Sequence, residues 1–181
     1  MALNKNIVLG SGKLYCAEFS NSIPDNQTLE TEDNILGLIK GGATLSYEPE
    51  FYTAQDDLGL AVKKMITKET AILKSGIMTW NSDTLGKLCS TAKVSSGSGS
   101  QKIVKIGGVG NYDGKQYVLR FVHEGGAPEE TLRVTIVGSN EAGFEIAFSP
   151  EEETVIDAEF TAFPMDDKGT LIEVAFGNPA A

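Results

Sequence analysis

The sequence is poor in the residues from which most reactive sites are built: its 181 positions hold one histidine, two cysteines and one tryptophan. A lone histidine, His123, excludes multi-histidine metal centres and leaves a single imidazole for any nucleophilic triad. Cys16 and Cys89 are too few and too widely spaced for a disulfide framework or a paired thiolate site, and read as reduced core residues. No run of about 18 apolar residues is present, so no spanning helix is expected; the opening Met1-Ala-Leu-Asn-Lys lacks the apolar stretch of a secretory signal. Positive charge is scarce as well. Fifteen Lys and Arg against 25 Asp and Glu give a formal net charge of −10, which argues against clustered phosphate contacts and a DNA-binding role.

Motifs that carry chemistry are missing from the places where they would be looked for. Gly108-Val-Gly110 would need glycine at position 113 for a dinucleotide fingerprint, and Asp113 stands there. Gly114-Lys115 lacks both the upstream glycine and the following hydroxyl residue of a phosphate loop. Gly97-Ser98-Gly99 imitates a nucleophile elbow in letters alone, within a Ser/Gly-rich stretch that could not hold a nucleophile rigidly. Glu151-Glu152-Glu153, Asp157, Glu159 and Asp166-Asp167 are plentiful carboxylates without calcium-loop spacing. His123 reads as a surface residue at a strand end. No catalytic residue, cofactor site or metal site is therefore assigned.

What the chain does have is strand alternation. Leu45, Tyr47 and Pro49 alternate with Thr44, Ser46 and Glu48; Tyr117, Leu119 and Phe121 with Val118, Arg120 and Val122; Leu132, Val134 and Ile136 with Arg133 and Thr135; Ile156, Ala158 and Phe160 with Asp157 and Glu159. Strands are expected at Lys13–Phe19, from Gly42, at Glu69–Trp80, Thr131–Val137, Gly143–Phe148, Thr154–Pro164 and Thr170–Phe176. A further pair, Lys102–Ile106 with Lys115–His123, is expected to join across the Asp113-Gly114 turn. Ser20–Asn34 reads as an exposed loop and Val94–Ser100 as a flexible linker. Asn81-Ser82-Asp83 caps one helix whose stripe is Leu85, Leu88, Cys89 and Ala92. Thr53–Thr70 fits neither period and reads as an extended loop or long hairpin, a length that usually has a task. The expected fold is one mainly β domain over 1–181: an antiparallel sandwich or barrel with one α-helix packed on it and a long projecting loop.

Four segments, KGGATLSYEPEFY from Lys40, KSGIMTWN from Lys74, RFVH from Arg120 and the ending DAEFTAFPMDDKGTLIE from Asp157, resemble phage tail tube proteins in wording and order. The resemblance spans nearly the whole chain, and its last segment is similar to the terminal hairpin of that family. It implies a tail-tube fold and a virion protein, assembled in the host cytoplasm as stacked hexameric rings that form a DNA conduit. Tail terminator, tape measure and tail tip proteins would be its partners, with DNA only in transit and no membrane. It also implies that Asp157 and Glu159 line the lumen. The long loop, with Asp56, Asp57, Leu58, Lys63, Lys64, Met65 and Lys68, would then reach the neighbouring ring. A ligand-binding β-sandwich using Trp80 or Phe51-Tyr52 as an aromatic platform, and the related secretion tubes, stay open as alternatives.

Overall fold

A computed structural model describes residues 10–178. The chain is mainly β and antiparallel, as the alternation implies. In order, the elements are β1 (Lys13–Glu18), α1 (Asn26–Leu29), β2 (Ile35–Gly37), β3 (Ile39–Gln55), β4 (Val62–Ile77), α2 (Ser82–Leu88), β5 (Lys93–Ser96), β6 (Lys102–Lys105), β7 (Tyr117–His123), β8 (Leu132–Asn140), β9 (Ile156–Phe163) and β10 (Glu173–Phe176).

Eight of the strands form one sheet in the order β2-β1-β7-β8-β9-β4-β3, with β10 added to β8. Its two ends are the same piece of chain, because only Leu38 separates β2 from β3. The strand that pairs with β1 at one end therefore pairs with β4 at the other, and the sheet closes into a barrel. Leu38 sits at the seam, its carbonyl accepting from the Met78 amide and its own amide donating to Thr79 Oγ1, both at 2.7 Å. Closure removes the edges that would otherwise seek partners along most of the sheet.

The barrel interior is filled by the inward half of every alternation. Leu14 and Cys16, Leu36, Leu73 and Ile77, Leu119, Ile136, Ile156 and Phe160 are all at or near zero exposure and form one cluster. Helix α2 adds the buried Leu88 to it, with Leu85 and Trp80 packed alongside. Each such side chain contributes roughly 1.5–3 kcal/mol by leaving water. Close packing leaves no room at Gly138 on β8, where a Cβ would lie 2.1 Å from the Thr161 carbonyl oxygen of β9. On the outer side, α1 covers a smaller cluster of Tyr15, Leu29, Val118, Val122 and Val137.

Several expected elements differ in the structure, each for a local reason. Ser20–Asn34 is more than a loop, because Asp25 accepts from the Thr28 amide at 2.8 Å and starts α1, whose Leu29 is fully buried. Glu30, just after it, accepts from Arg133 through Nε at 2.7 Å and Nη2 at 3.1 Å, and from Arg120 Nη1 at 3.3 Å. The helix predicted from Asn81 starts there with a full capping box but stops at Leu88, since Cys89 is already extended; Ala92 is buried without being helical. The supposed linker at Val94–Ser100 is half of a small hairpin, β5 pairing with β6 through Val94↔Val104 and Ser95↔Ile103. Its turn residues are the serines and glycines that suggested flexibility. Accordingly β6 does not pair with the strand of Lys115–His123, and β7 lies between β1 and β8.

Gly143–Phe148 is not a strand. The β8–β9 ladder ends at Asn140↔Phe160, where Asn140 Nδ2 turns the chain by donating to the Leu88 and Gly143 carbonyls. The final two strands do not form a hairpin with each other. β9 and β10 lie end to end along one side of β8, β9 against Val137–Asn140 and β10 against Leu132–Thr135. His123 is buried, contrary to its reading as a surface residue, and its Nδ1 donates to the Ser11 carbonyl at 2.8 Å.

Candidate functional site

The feature that departs most from a self-sufficient barrel is the far half of the β3–β4 hairpin. The two strands stay paired from Ile39↔Ile77 to Gln55↔Val62, but β4 has its second neighbour, β9, only over Ile72–Ile77. Beyond that the hairpin is a two-stranded arm. Of the two sequence readings for Thr53–Thr70, the hairpin is the one observed, and its strands begin well before Thr53.

Local sequence explains both the reach and the bend of this arm. Gly41 and Gly42 are two extra residues on β3 opposite Gly76 and Ser75, with φ of +80° and +76° that disfavour any residue with a Cβ. The buried Ser75 Oγ donates to the Gly42 carbonyl at 3.0 Å and fixes that bulge. A second irregularity falls between Glu50 and Phe51, where Glu50 pairs with Lys68 and Phe51 with Ile66. At the tip, Asp56 accepts from the Ala61 amide at 2.6 Å, and that hydrogen bond holds its carboxyl below the ordinary range.

Exposure separates the arm from the barrel. Phe51, Tyr52, Val62, Met65 and Ile66 are each about half exposed or more, and Leu58 and Leu60 at the tip are 79% and 83% exposed. Alternation places Phe51 and Ile66, directly paired, on one side of the ribbon and the pair Tyr52 and Met65 on the other. Lys64 lies over the Phe51 ring, 4.4 Å from its centre. Phe51 and Tyr52 thus point away from each other and cannot form one aromatic platform, while Trp80 is packed against the core. Among the seven loop residues singled out from the sequence, Asp56, Asp57 and Leu58 are at the tip and Lys63, Lys64, Met65 and Lys68 are on β4. The sequence reading missed the contribution of β3, because Tyr47 fell in an ordinary half-wet alternation and Phe51-Tyr52 was weighed only as an aromatic platform. Tyr47 donates to Glu69 across the ribbon, and that carboxylate raises the pKa of the phenol.

The other predicted pair is found on the barrel's outer wall. Asp157 is exposed and Glu159 half-buried on the same outward side of β9, opposite the inward Ile156, Ala158 and Phe160. Glu159 is held by Lys74 of β4 at 2.6 Å, so the wall is partly neutralised instead of uniformly acidic. Asp157 has no ion pair among the described residues. Both border an open groove of about 660 Å³ that also includes Gly41, Gly42, Lys74 and Glu145.

No three His, Cys, Asp or Glu side chains among the described residues are placed to hold a metal ion. Burial pushes the Cys16 thiol up to about 12, leaving it an inert core group. Among the described residues no helix is long and apolar enough to cross a membrane. No protein-family model matches the chain, and no curated protein matches it.

Proposed function

We propose that the chain is a structural virion protein, the major subunit of a phage tail tube, which assembles as stacked hexameric rings around a passage for DNA. The observation that carries this reading is the arm: a two-stranded ribbon is marginal in water by itself, and this one exposes apolar side chains on both of its sides. Such a ribbon is completed by other copies. The barrel offers the counterpart, since among the described residues β10 pairs with β8 alone and exposes Val174 and Phe176, while β3 pairs with β4 alone and leaves its outer edge unpaired along the arm. Two different free edges on one chain make a head-to-tail contact, and such contacts close into rings or continue as stacks.

In this reading Asp157 and Glu159 face the lumen. A passage for DNA has to avoid holding phosphate, and a wall of carboxylates with its lysine already paired does so. The chain acts without a cofactor and without catalysis; its partners are its own copies and the end-capping tail proteins that the sequence resemblance implies, in the virion tail. Electron microscopy of concentrated protein, with native mass measurement alongside, tests this. Hexameric rings or tubes are expected, and a monomer at all concentrations would refute it.

A further inference from the structure

A second surface, remote in sequence from the arm and from Asp157, combines charge and exposure in a way that the barrel does not need. From Leu85 to Tyr112 there are four lysines and no carboxylate, so this stretch carries +4 and the rest of the chain −14 of the formal total of −10. Three of those lysines, Lys93, Lys102 and Lys105, are exposed on the β5–β6 hairpin, and none has an ion pair among the described residues. Lys93 and Lys105 face each other directly across the two strands. Like charges in that position destabilise a sheet, so the hairpin pays locally for keeping them. Beside them Val94 is 40%, Ile106 49%, Tyr112 66% and Val109 94% exposed.

We infer that this basic, apolar hairpin is a docking surface for the acidic segment Glu141–Glu152 of a second copy of the chain. That segment has the complementary character: Glu141, Glu145, Glu151 and Glu152 are exposed, and Phe148 among them is 80% exposed. The uneven charge also favours the chain's own kind as partner, because every other copy carries −14 outside the hairpin. A nucleic acid would meet that same negative charge and would leave the aliphatic side chains unused. The contact is heterologous, basic hairpin to acidic segment, and requires only two copies; it goes beyond the ring reading and does not depend on it.

The test is sedimentation velocity of the full chain at low and high salt, with charge reversals in two places. Wild-type protein is expected to self-associate less as salt rises. Lys93→Glu/Lys105→Glu and Glu151→Lys/Glu152→Lys should each associate at least roughly tenfold more weakly, and an equimolar mixture of the two should regain wild-type association. All four positions are exposed, and circular dichroism confirms that each variant keeps its fold; Lys93→Gln/Lys105→Gln serves if a reversal does not. The proposal is overturned if association is insensitive to salt and to the reversals, or if the mixture associates no better than its parts. Capture of a fluorescent single-stranded oligonucleotide by wild type but not by the Lys93→Glu/Lys105→Glu variant also overturns it. Rings that form equally well from every variant reject this contact and leave the ring reading intact; a mixture that pairs without closing into rings does the reverse.

Discussion

The barrel and the arm are both built from paired antiparallel strands, and they bury their apolar side chains to opposite extents. Along β9 every second residue is inside, with Ile156, Ala158 and Phe160 at or near zero exposure. On the arm Phe51, Ile66 and Val62 likewise share one side of the ribbon, yet all three remain about half exposed or more. Period-two patterning specifies which residues share a side of a strand; what covers that side is decided by the neighbours available. In the barrel those neighbours are within the chain. On the arm they are absent among the described residues, and the proposed neighbouring copies would supply them.

Substitutions sharpen this contrast by their effects on stability. The largest loss is expected from Glu30→Ala, which strands the buried Arg120 and the nearly buried Arg133 without their shared carboxylate; chemical denaturation should show about 3–5 kcal/mol. Phe160→Ala, which opens a cavity in the barrel interior, should cost a similar amount, about 3–5 kcal/mol. Gly138→Ala should cost about 2 kcal/mol or more, since the added methyl meets a carbonyl oxygen of the neighbouring strand. On the arm, replacing Phe51, Tyr52 and Met65 together by serine should leave the monomer's stability within roughly 0.5 kcal/mol per site while abolishing higher assembly. A loss of several kcal/mol there would show that the arm folds back on its own barrel.

The interior also sets a pH dependence. Burial raises the Cys16 thiol from 9.0 to about 12, so the unfolded chain loses that proton first. Stability from this group is complete below pH 9 and declines progressively between pH 9 and 12. Cys16→Ala should flatten that part of a stability-against-pH curve. A curve of unchanged slope would place the thiol in contact with water.

Much of the fold was legible because burial in a barrel is periodic. The strands around Leu14, Leu73, Leu119, Ile136 and Phe160 and the Asn81 cap were all readable from spacing. The errors fall where tertiary context outweighs local signal. Gly143–Phe148 alternates well, but Asn140 turns the chain out of the β8–β9 ladder just before it. β5 is hidden in serine and glycine that form a turn. α1 is only four residues long and rests on the burial of Leu29 and the arginine clamp on Glu30, neither of which a short window contains. For the candidate site, the outward placement of Asp157 and Glu159 was readable from alternation, whereas the Lys74 pairing was not, because it links residues 85 positions apart across β4 and β9. The arm was located by its misfit to either period, and its apolar character on both sides emerged only once the Glu50/Phe51 irregularity fixed the register.

The most direct measurement is electron microscopy with native mass analysis of two proteins side by side: the intact chain, and one with the arm shortened by removing residues 50–68 and closing the hairpin with a tight turn. Rings and stacked tubes from the intact chain, and loss of stacking from a shortened chain that still gives the circular dichroism spectrum of a folded barrel, are the predicted results. Identical particles from both proteins, or monomers alone from the intact chain at high concentration, would contradict the assignment of the arm as a surface completed by other copies.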